Sequence, residues 1–182
     1  MDLGIFVIDS AGGHEGSEVS IRQGDAPQPG HPLEHTDAWP ERVSIEGRRV
    51  RTCFRVRYAE TDQMGMAYYA GYLVWFEVLR GDLMRAAGTP YPWFEEQGYL
   101  LPIVEAHVRY MAPARYDDPI EVVGWIEELR SRKVRFAYRV ERLGEMLADG
   151  WTIHIPVGRD GRARGFSQEL LGRLEHWILA PG

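Results

Sequence analysis

The sequence predicts an α+β protein in which an antiparallel sheet wraps one long helix. Three observations carry that prediction. A strand-like run ending at Tyr58 precedes a helical stretch from Tyr68 to Ala87. The first half of that stretch is apolar on nearly every side (Tyr68, Tyr69, Tyr72, Leu73, Val74, Trp75, Phe76, Val78, Leu79), the pattern of a helix buried on several faces. Four strand signals then come in a row, joined by short turns, which suits an antiparallel sheet with a segregated helix.

Residues 1–47 differ in character from the rest of the chain. Gly12, Gly13, Pro27, Pro29, Gly30, Pro32 and Pro40 punctuate a polar stretch without sustained periodicity, so it is expected to be a flexible or irregular extension, leaving 48–182 as the domain. Within it, Leu3–Ile8 reads as a short edge strand. His31 and His35 have a spacing that shares a helix face, but the surrounding prolines argue against a helix and so against a metal pair.

In the domain, Phe54, Val56 and Tyr58 alternate with Arg55 and Arg57, a half-buried strand. The loop 59–67 leads into the long helix, which Gly88 ends, with Pro90 just beyond. A short helix is expected over Tyr91–Gly98, with Pro92 in its first turn. Strands are expected over 101–111, 120–129, 133–142 and 147–157, the last disturbed at Pro156, which lacks a backbone donor. Asp117, Asp118 and Pro119 mark a turn. The segment Ser167–Leu179 reads as an amphipathic helix capped by Ser167.

Composition excludes several function classes. At 182 residues the chain is long enough to bury a core, and its formal net charge of -6 argues against a nucleic-acid partner. Cys53 is the single cysteine, so no intrachain disulfide forms and a reducing cytoplasm is expected. No apolar run is long enough to span a membrane, and Met1–Asp9 lacks the basic region of a signal peptide.

The chemistry is concentrated between Tyr58 and Tyr72. Asp62 stands just ahead of the buried helix, with Gly65 between them. The first turn of a helix has free N–H donors and a partial positive charge, which can hold a developing oxyanion. A carboxylate beside it either attacks a carbonyl or deprotonates a water. Taken alone, Asp62 is more simply a turn or cap residue. With Gly65, Tyr68, Tyr69 and Tyr72 in register the chemical reading gains the upper hand. Gly65 suits a backbone conformation closed to residues with a Cβ, or an ordinary turn. Cys53 reads as a strand filler, and His107 and His154 as structural.

This pattern, Tyr58-x-x-Thr61-Asp62-x-x-Gly65-x-x-Tyr68-Tyr69-x-x-Tyr72 followed by Phe76-Glu77-x-x-Arg80, resembles the hotdog-fold acyl-CoA thioesterases of the 4-hydroxybenzoyl-CoA thioesterase type. Val108-Arg109-Tyr110-x-x-Pro113-Ala114-x-Tyr116-x-Asp118 and Ser131-Arg132-Lys133-Val134-x-Phe136 extend the likeness over about residues 50–165. The resemblance implies the hotdog fold, a five-stranded antiparallel sheet wrapped around one central helix, paired into a homodimer or homotetramer with active sites at the subunit interface. It implies hydrolysis of acyl-CoA or aroyl-CoA thioesters, with no metal and no cofactor beyond the CoA of the substrate.

Residue by residue, Asp62 takes the place of the catalytic carboxylate. Tyr69 takes that of the residue whose backbone N–H polarises the thioester carbonyl, where many relatives have histidine. Gly65 belongs to the same motif. Tyr68 and Tyr72 are expected against the substrate, and Arg132 and Lys133 near its nucleotide, since arginine and lysine suit phosphates. Arg159, Arg162 and Arg164 form a second basic patch. Glu77 either supports the site from a neighbouring subunit or pairs with Arg80. The competing expectation is a non-catalytic acyl-CoA-binding hotdog protein, suggested by Tyr69 and the N-terminal extension. A hotdog hydratase ranks below both, because its usual Asp–His pair has no counterpart here.

Overall fold

The computed structural model describes residues 5–7, 22–24 and 42–178. The chain divides into two compact units, 1–39 and 40–182. In the first, strands β1 (Ile5–Val7) and β2 (Arg22–Gly24) pair antiparallel, with Phe6 opposite Gln23. The remainder of the expected Leu3–Ile8 strand, and the His31/His35 pair, lie outside the described residues.

The second unit holds a six-stranded antiparallel sheet in the order β3-β4-β6-β7-β8-β5. Its strands are β3 (Val43–Glu46), β4 (Arg49–Arg55), β5 (Ile103–Tyr110), β6 (Pro119–Arg130), β7 (Lys133–Arg142) and β8 (Glu145–His154). Helix α1 (Gly71–Ala86) lies against one face, α2 (Tyr91–Glu96) comes next, and α3 (Gln168–Glu175) closes the unit. The resemblance implied five strands. The sixth is β3, which turns back into β4 through Gly47 at φ +62. It lies ahead of position 47, in the stretch that composition assigned to the irregular extension. Four residues are too few for their alternation to stand out against polar surroundings.

Helix α1 starts at Gly71, not near Tyr68. Tyr68 to Gly71 instead form a turn closed by Gly71 N–H to Tyr68 O at 2.8 Å. Tyr72, Trp75, Phe76, Leu79 and Leu83 are buried against the sheet. Val134, Phe136, Tyr138 and Val140 of β7 and Ile120, Val122 and Ile126 of β6 supply the apolar floor. Asp82 is buried on the helix and takes the Thr52 hydroxyl of β4 at 2.8 Å and the guanidinium of Arg85, so the second half of α1 is tied to the sheet by a paired charge. β8 ends at His154, ahead of Pro156, as a strand that frays at the proline should, although it lies inside the sheet between β7 and β5. Ser167 caps α3 as expected, its Oγ accepting the Leu170 N–H at 3.2 Å.

Two glycines let the helix come this close. Gly124 on β6 and Gly150 on β8 face each other across Tyr138 of β7 in a single row of the sheet. A Cβ at Gly124 would overlap Leu79 Cδ2. One at Gly150 would overlap the His107 carbonyl oxygen and stand 2.9 Å from Phe76 Cε2. Between them the Tyr138 ring lies flat on Phe76, centroids 4.2 Å apart and planes at 5°. The helix thus sits in a notch whose floor is one aromatic ring and whose sides have no side chain.

Filling that notch overpacks the core. Gly124→Ala is expected to lower stability by about 1–3 kcal/mol in denaturant unfolding. Gly172, mid-way along α3 with open space at its Cβ position, is the counter-case, and Gly172→Ala is expected to raise stability by roughly 0.5–1 kcal/mol.

Candidate active site

The segment between β4 and α1 is a small knot of hydrogen bonds. A 3-10 turn at Tyr58–Glu60 is closed at both ends by Glu60, whose carboxylate accepts the Arg57 backbone N–H at 2.7 Å and the Arg57 guanidinium at 2.8 Å. The indole N–H of Trp75 donates to the same carboxylate at 2.9 Å, fastening the turn to α1. Burial alone would raise the Glu60 pKa, but these donors from Arg57 and Trp75 outweigh it and hold the acid below its usual range.

Beyond Glu60 the chain makes a miniature hairpin. Thr61 bridges Ala67, Asp62 N–H donates to Met66 O at 2.9 Å, and Gly65 N–H donates to Asp62 O at 3.0 Å. The Gly65 residue has φ +69, the left-handed conformation that closes a three-residue turn and that favours glycine. Asp62 Oδ1 accepts the Met64 N–H at 2.8 Å, the local bond that makes aspartate a turn former. Its second carboxylate oxygen has no hydrogen-bond partner among the described residues. Asp62 is half-buried. One oxygen therefore builds the turn while the other is free to act.

The hairpin returns the chain to Tyr68, whose N–H donates to Glu60 O at 2.8 Å. Tyr68 and Tyr69 are exposed at 46% and 62%, with ring centroids 4.4 Å apart. The hydrogen bond between their hydroxyls, and the nearby Asp62 charge, raise the Tyr68 phenol above its ordinary pKa. The Tyr69 carbonyl accepts the hydroxyl of Tyr110, on strand β5, at 2.8 Å, which fixes the plane of the Tyr69–Ala70 peptide. The backbone N–H groups of Tyr69 and Ala70 have no acceptor among the described residues, as the leading edge of a helix leaves them.

Asp62, Gly65, Tyr68 and Tyr69 are thus brought together on one exposed corner. Tyr72 is not part of it. It is 2% exposed, wedged between Trp75 and Tyr110, and belongs to the core rather than to a substrate surface. Glu77 is exposed, and no pair joins it to Arg80. Arg132 and Lys133 stand at the other end of the sheet. Arg55, just before the Asp62 loop, pairs with Pro119 at the start of β6, whereas Arg130 at its end pairs with Lys133. A twelve-residue strand separates them, roughly 35–40 Å. Lys133 is paired with Glu128 at 2.7 Å, while Arg132 is exposed. Arg159 and Arg164 donate to the Glu95 and Gly98 carbonyls, so that patch ties a loop to α2.

Sequence reasoning missed a buried chain of polar groups. Arg80 on α1 is 6% exposed and has no carboxylate partner among the described residues. It donates from Nη1 to the Tyr138 hydroxyl at 3.3 Å and from Nε to the Tyr91 hydroxyl at 2.7 Å. Since Tyr138 accepts from Arg80, its own proton goes to Thr152 Oγ1 at 2.8 Å. Thr152 in turn donates to His154 Nε2 at 2.9 Å, and His154 Nδ1–H donates to the Leu101 carbonyl at 2.9 Å. Burial and the Arg80 charge depress His154 to about 4, so it is neutral. An arginine in the helical pattern announced none of this, because its partners come from β7, β8 and α2.

Two concavities among the described residues lie away from the corner. One, of about 380 Å³, lies between α2 and the Leu100–Pro102 segment. The other, of about 310 Å³, is on the outer face of the sheet around Trp125 and Trp151. Neither is lined by Asp62.

A family model described as the thioesterase-like superfamily matches residues 56–174. The chain is 39% identical over 106 residues to YneP of Bacillus subtilis, which carries acyl-CoA thioesterase as a provisional name. That match covers 58% of this chain and 77% of YneP. Among solved structures, the hypothetical protein TT1821 from Thermus thermophilus is 39% identical with a TM-score of 0.68, covering 72% of this chain and 98% of that one. The DHNA-CoA thioesterase of Staphylococcus aureus is 28% identical with a TM-score of 0.67, covering 71% and 88%.

The two duties of Asp62 separate by substitution. Asp62→Asn keeps an oxygen for the Met64 N–H and is expected to unfold within about 0.5 kcal/mol of wild type, whereas Asp62→Ala loses about 1 kcal/mol. His154 gives a pH dependence. Its folded pKa, about 4, lies below the unfolded value near 6.5, so the unfolded chain binds more protons between them. Stability is expected to fall as pH drops from 6.5 toward 4, and denaturant melts of His154→Gln should show a shallower fall.

Proposed function

This chain belongs to the thioesterase-like superfamily and hydrolyses thioesters, and on that premise we propose that its substrate is an acyl- or aroyl-CoA cleaved by Asp62 across a dimer interface. The observation that carries the proposal is the pairing of a free carboxylate oxygen on Asp62 with unsatisfied N–H donors at Tyr69 and Ala70. The donors stabilise the oxyanion that forms when the thioester carbonyl is attacked. Asp62 either attacks that carbonyl itself or takes the proton of an attacking water. In the first route the CoA thiolate leaves a mixed anhydride on Asp62, which water then hydrolyses to free the acid and the carboxylate; in the second the water adds directly and the thiolate leaves, so both end in an acid and CoA. The side chain at position 69 has no chemical part, because the donors are main-chain groups. Neither metal nor further cofactor is needed, and we assign the reaction to the cytoplasm, where Cys53 stays reduced.

The second subunit is proposed from β5. Among the described residues it is an edge strand with its backbone unpaired on one side, and Ile103, Val104 and Tyr110 are 47%, 47% and 45% exposed. An apolar, uncovered edge is the signature of a strand that pairs with another. A two-fold axis beside β5 runs two copies antiparallel and sets Ile103 of one beside Tyr110 of the other. That brings the Asp62 corner of one copy to the α2 end of its neighbour. It also moves the neighbour's Ser131–Lys133 turn to the same end of the joined sheet as Asp62, which gives Arg132 and Lys133 a route to the CoA phosphates. A homotetramer would join two such dimers.

In a thiol-release assay over a panel of CoA thioesters, Asp62→Asn is expected to lower kcat/KM by about 100-fold or more. Equal turnover by the variant and wild type would remove Asp62 from the chemistry, whereas tight binding of the CoA esters by wild type without turnover would favour a non-catalytic binding protein. Val104→Lys is expected to give monomers in sedimentation velocity and to lose activity with the dimer. An active monomer would count against a shared site.

A further inference from the structure

Two peptide groups ahead of α1 offer N–H donors, and the fold holds them by different means. The Tyr69 N–H shares its peptide with the carbonyl of Tyr68, and that carbonyl accepts the Gly71 N–H at 2.8 Å, a bond internal to the lead-in turn. The Ala70 N–H shares its peptide with the carbonyl of Tyr69. In a regular helix this oxygen accepts from the residue four places on. Here the Leu73 N–H donates to Ala70 O instead, at 3.2 Å, and no backbone N–H among the described residues reaches the Tyr69 oxygen. The Tyr110 hydroxyl takes that role, donating at 2.8 Å from 41 positions along the chain. One of the two donors is therefore aimed by a side chain of another element.

Tyr110 is itself held at three points. It is the last residue of β5, in register with Ala148 of β8. Its ring meets the buried Tyr72 edge-on, centroids 5.0 Å apart and planes at 82°. Its hydroxyl ends on Tyr69 O. Burial and the neighbouring Tyr69 phenol raise its pKa, which keeps the proton on its oxygen. Two effects reach the Ala70 N–H. The carbonyl and the N–H of a planar peptide turn together, so holding the oxygen aims the proton. A carbonyl that accepts a hydrogen bond draws electron density from its own nitrogen, and the N–H becomes a stronger donor.

We propose that Tyr110 is a positioning residue for the oxyanion, touching no substrate itself but aiming and strengthening the Ala70 N–H through the Tyr69 carbonyl. The inference rests on the thioesterase reading of the Asp62 corner. A donor aimed before charge develops needs no reorganisation during the reaction. A water on Tyr69 O in place of the phenol would leave the peptide free to turn. Loss of the hydroxyl therefore weakens the hold on the transition state and spares the hold on the substrate.

Tyr110→Phe keeps the ring on Tyr72 and removes only the hydroxyl. In thiol-release assays with benzoyl-CoA and hexanoyl-CoA it is expected to lower kcat about tenfold and to leave KM unchanged. The carbonyl stretch of the same two thioesters bound to Asp62→Asn, read by isotope-edited infrared difference spectroscopy, reports the donors without turnover. It is expected below the frequency of the free thioester, and adding Tyr110→Phe is expected to return part of that downshift. An unchanged kcat, a loss carried by KM alone, or a downshift that is absent or that Tyr110→Phe leaves intact overturns the proposal. A downshift that depends on Tyr110, in a wild type that hydrolyses neither thioester, would instead spare the role of Tyr110 and overturn the hydrolase reading of the Asp62 corner.

Discussion

The close seating of α1 on the sheet is the constraint on which the other features depend. Gly124 and Gly150 remove two side chains beneath Leu79 and Phe76, and the helix descends until Phe76 lies flat on Tyr138. A helix so deep has little room for polar groups, yet its N-terminus must still emerge somewhere. It emerges at Tyr68–Ala70, where the lead-in turn is pinned by Trp75 to Glu60 on one side and by Tyr110 on the other. Donors left unsatisfied by the helix start are therefore exposed at a fixed place, which is the condition for using them on a substrate. The same depth explains Arg80. At a position facing the sheet, its guanidinium must be satisfied by phenols that line the core, and those phenols carry its influence outward in two directions.

Much of this architecture could be read from residue patterns, and the exceptions have physical causes. The strands from Ile103 to His154 were legible because their alternation persists over eight to twelve residues. β3 was not, at four residues. The start of α1 was read early because Tyr68 and Tyr69 continue the apolar run. Hydrophobicity cannot distinguish a core residue from one exposed at a corner, and these two are exposed. Tyr72 erred in the opposite sense, assigned to substrate and found in the core. Its assignment came with the motif, and a motif written along the chain does not say which of its residues the sheet covers.

The corner itself was legible in kind. Asp62 before a helix, and Gly65 between them, pointed to a carboxylate beside free N–H groups, and the hairpin explains why both are required: Gly65 for its φ of +69, Asp62 for the Met64 N–H. The distance between Asp62 and Arg132 was not legible, since a motif written along a line says nothing about which end of a sheet each part occupies. The Arg80 chain was illegible for a related reason. Its longest hydrogen bond, from Arg80 to Tyr138, spans 58 positions, and no local pattern marks a bond of that span.

A single copy keeps its carboxylate and the pocket beside α2 apart, and the topology leaves no alternative. The Asp62 loop comes after β4 at the end where β6 begins, and α1 then carries the chain to the opposite end before α2 and the pocket can form. A sixteen-residue helix of about 24 Å stands between them. Any substrate that uses both must bridge that length within one copy or find the pocket on another. The edge strand β5 begins beside the pocket, at Ile103, and finishes beside the Asp62 corner, at Tyr110. Reversing a second β5 against the first exchanges those ends and places each corner against the other copy's pocket. In the proposed dimer, one antiparallel contact covers the exposed apolar strand and sets each Asp62 corner against the other copy's α2 end, so the sheet edge that is a liability in a single copy is the element that the proposal turns on.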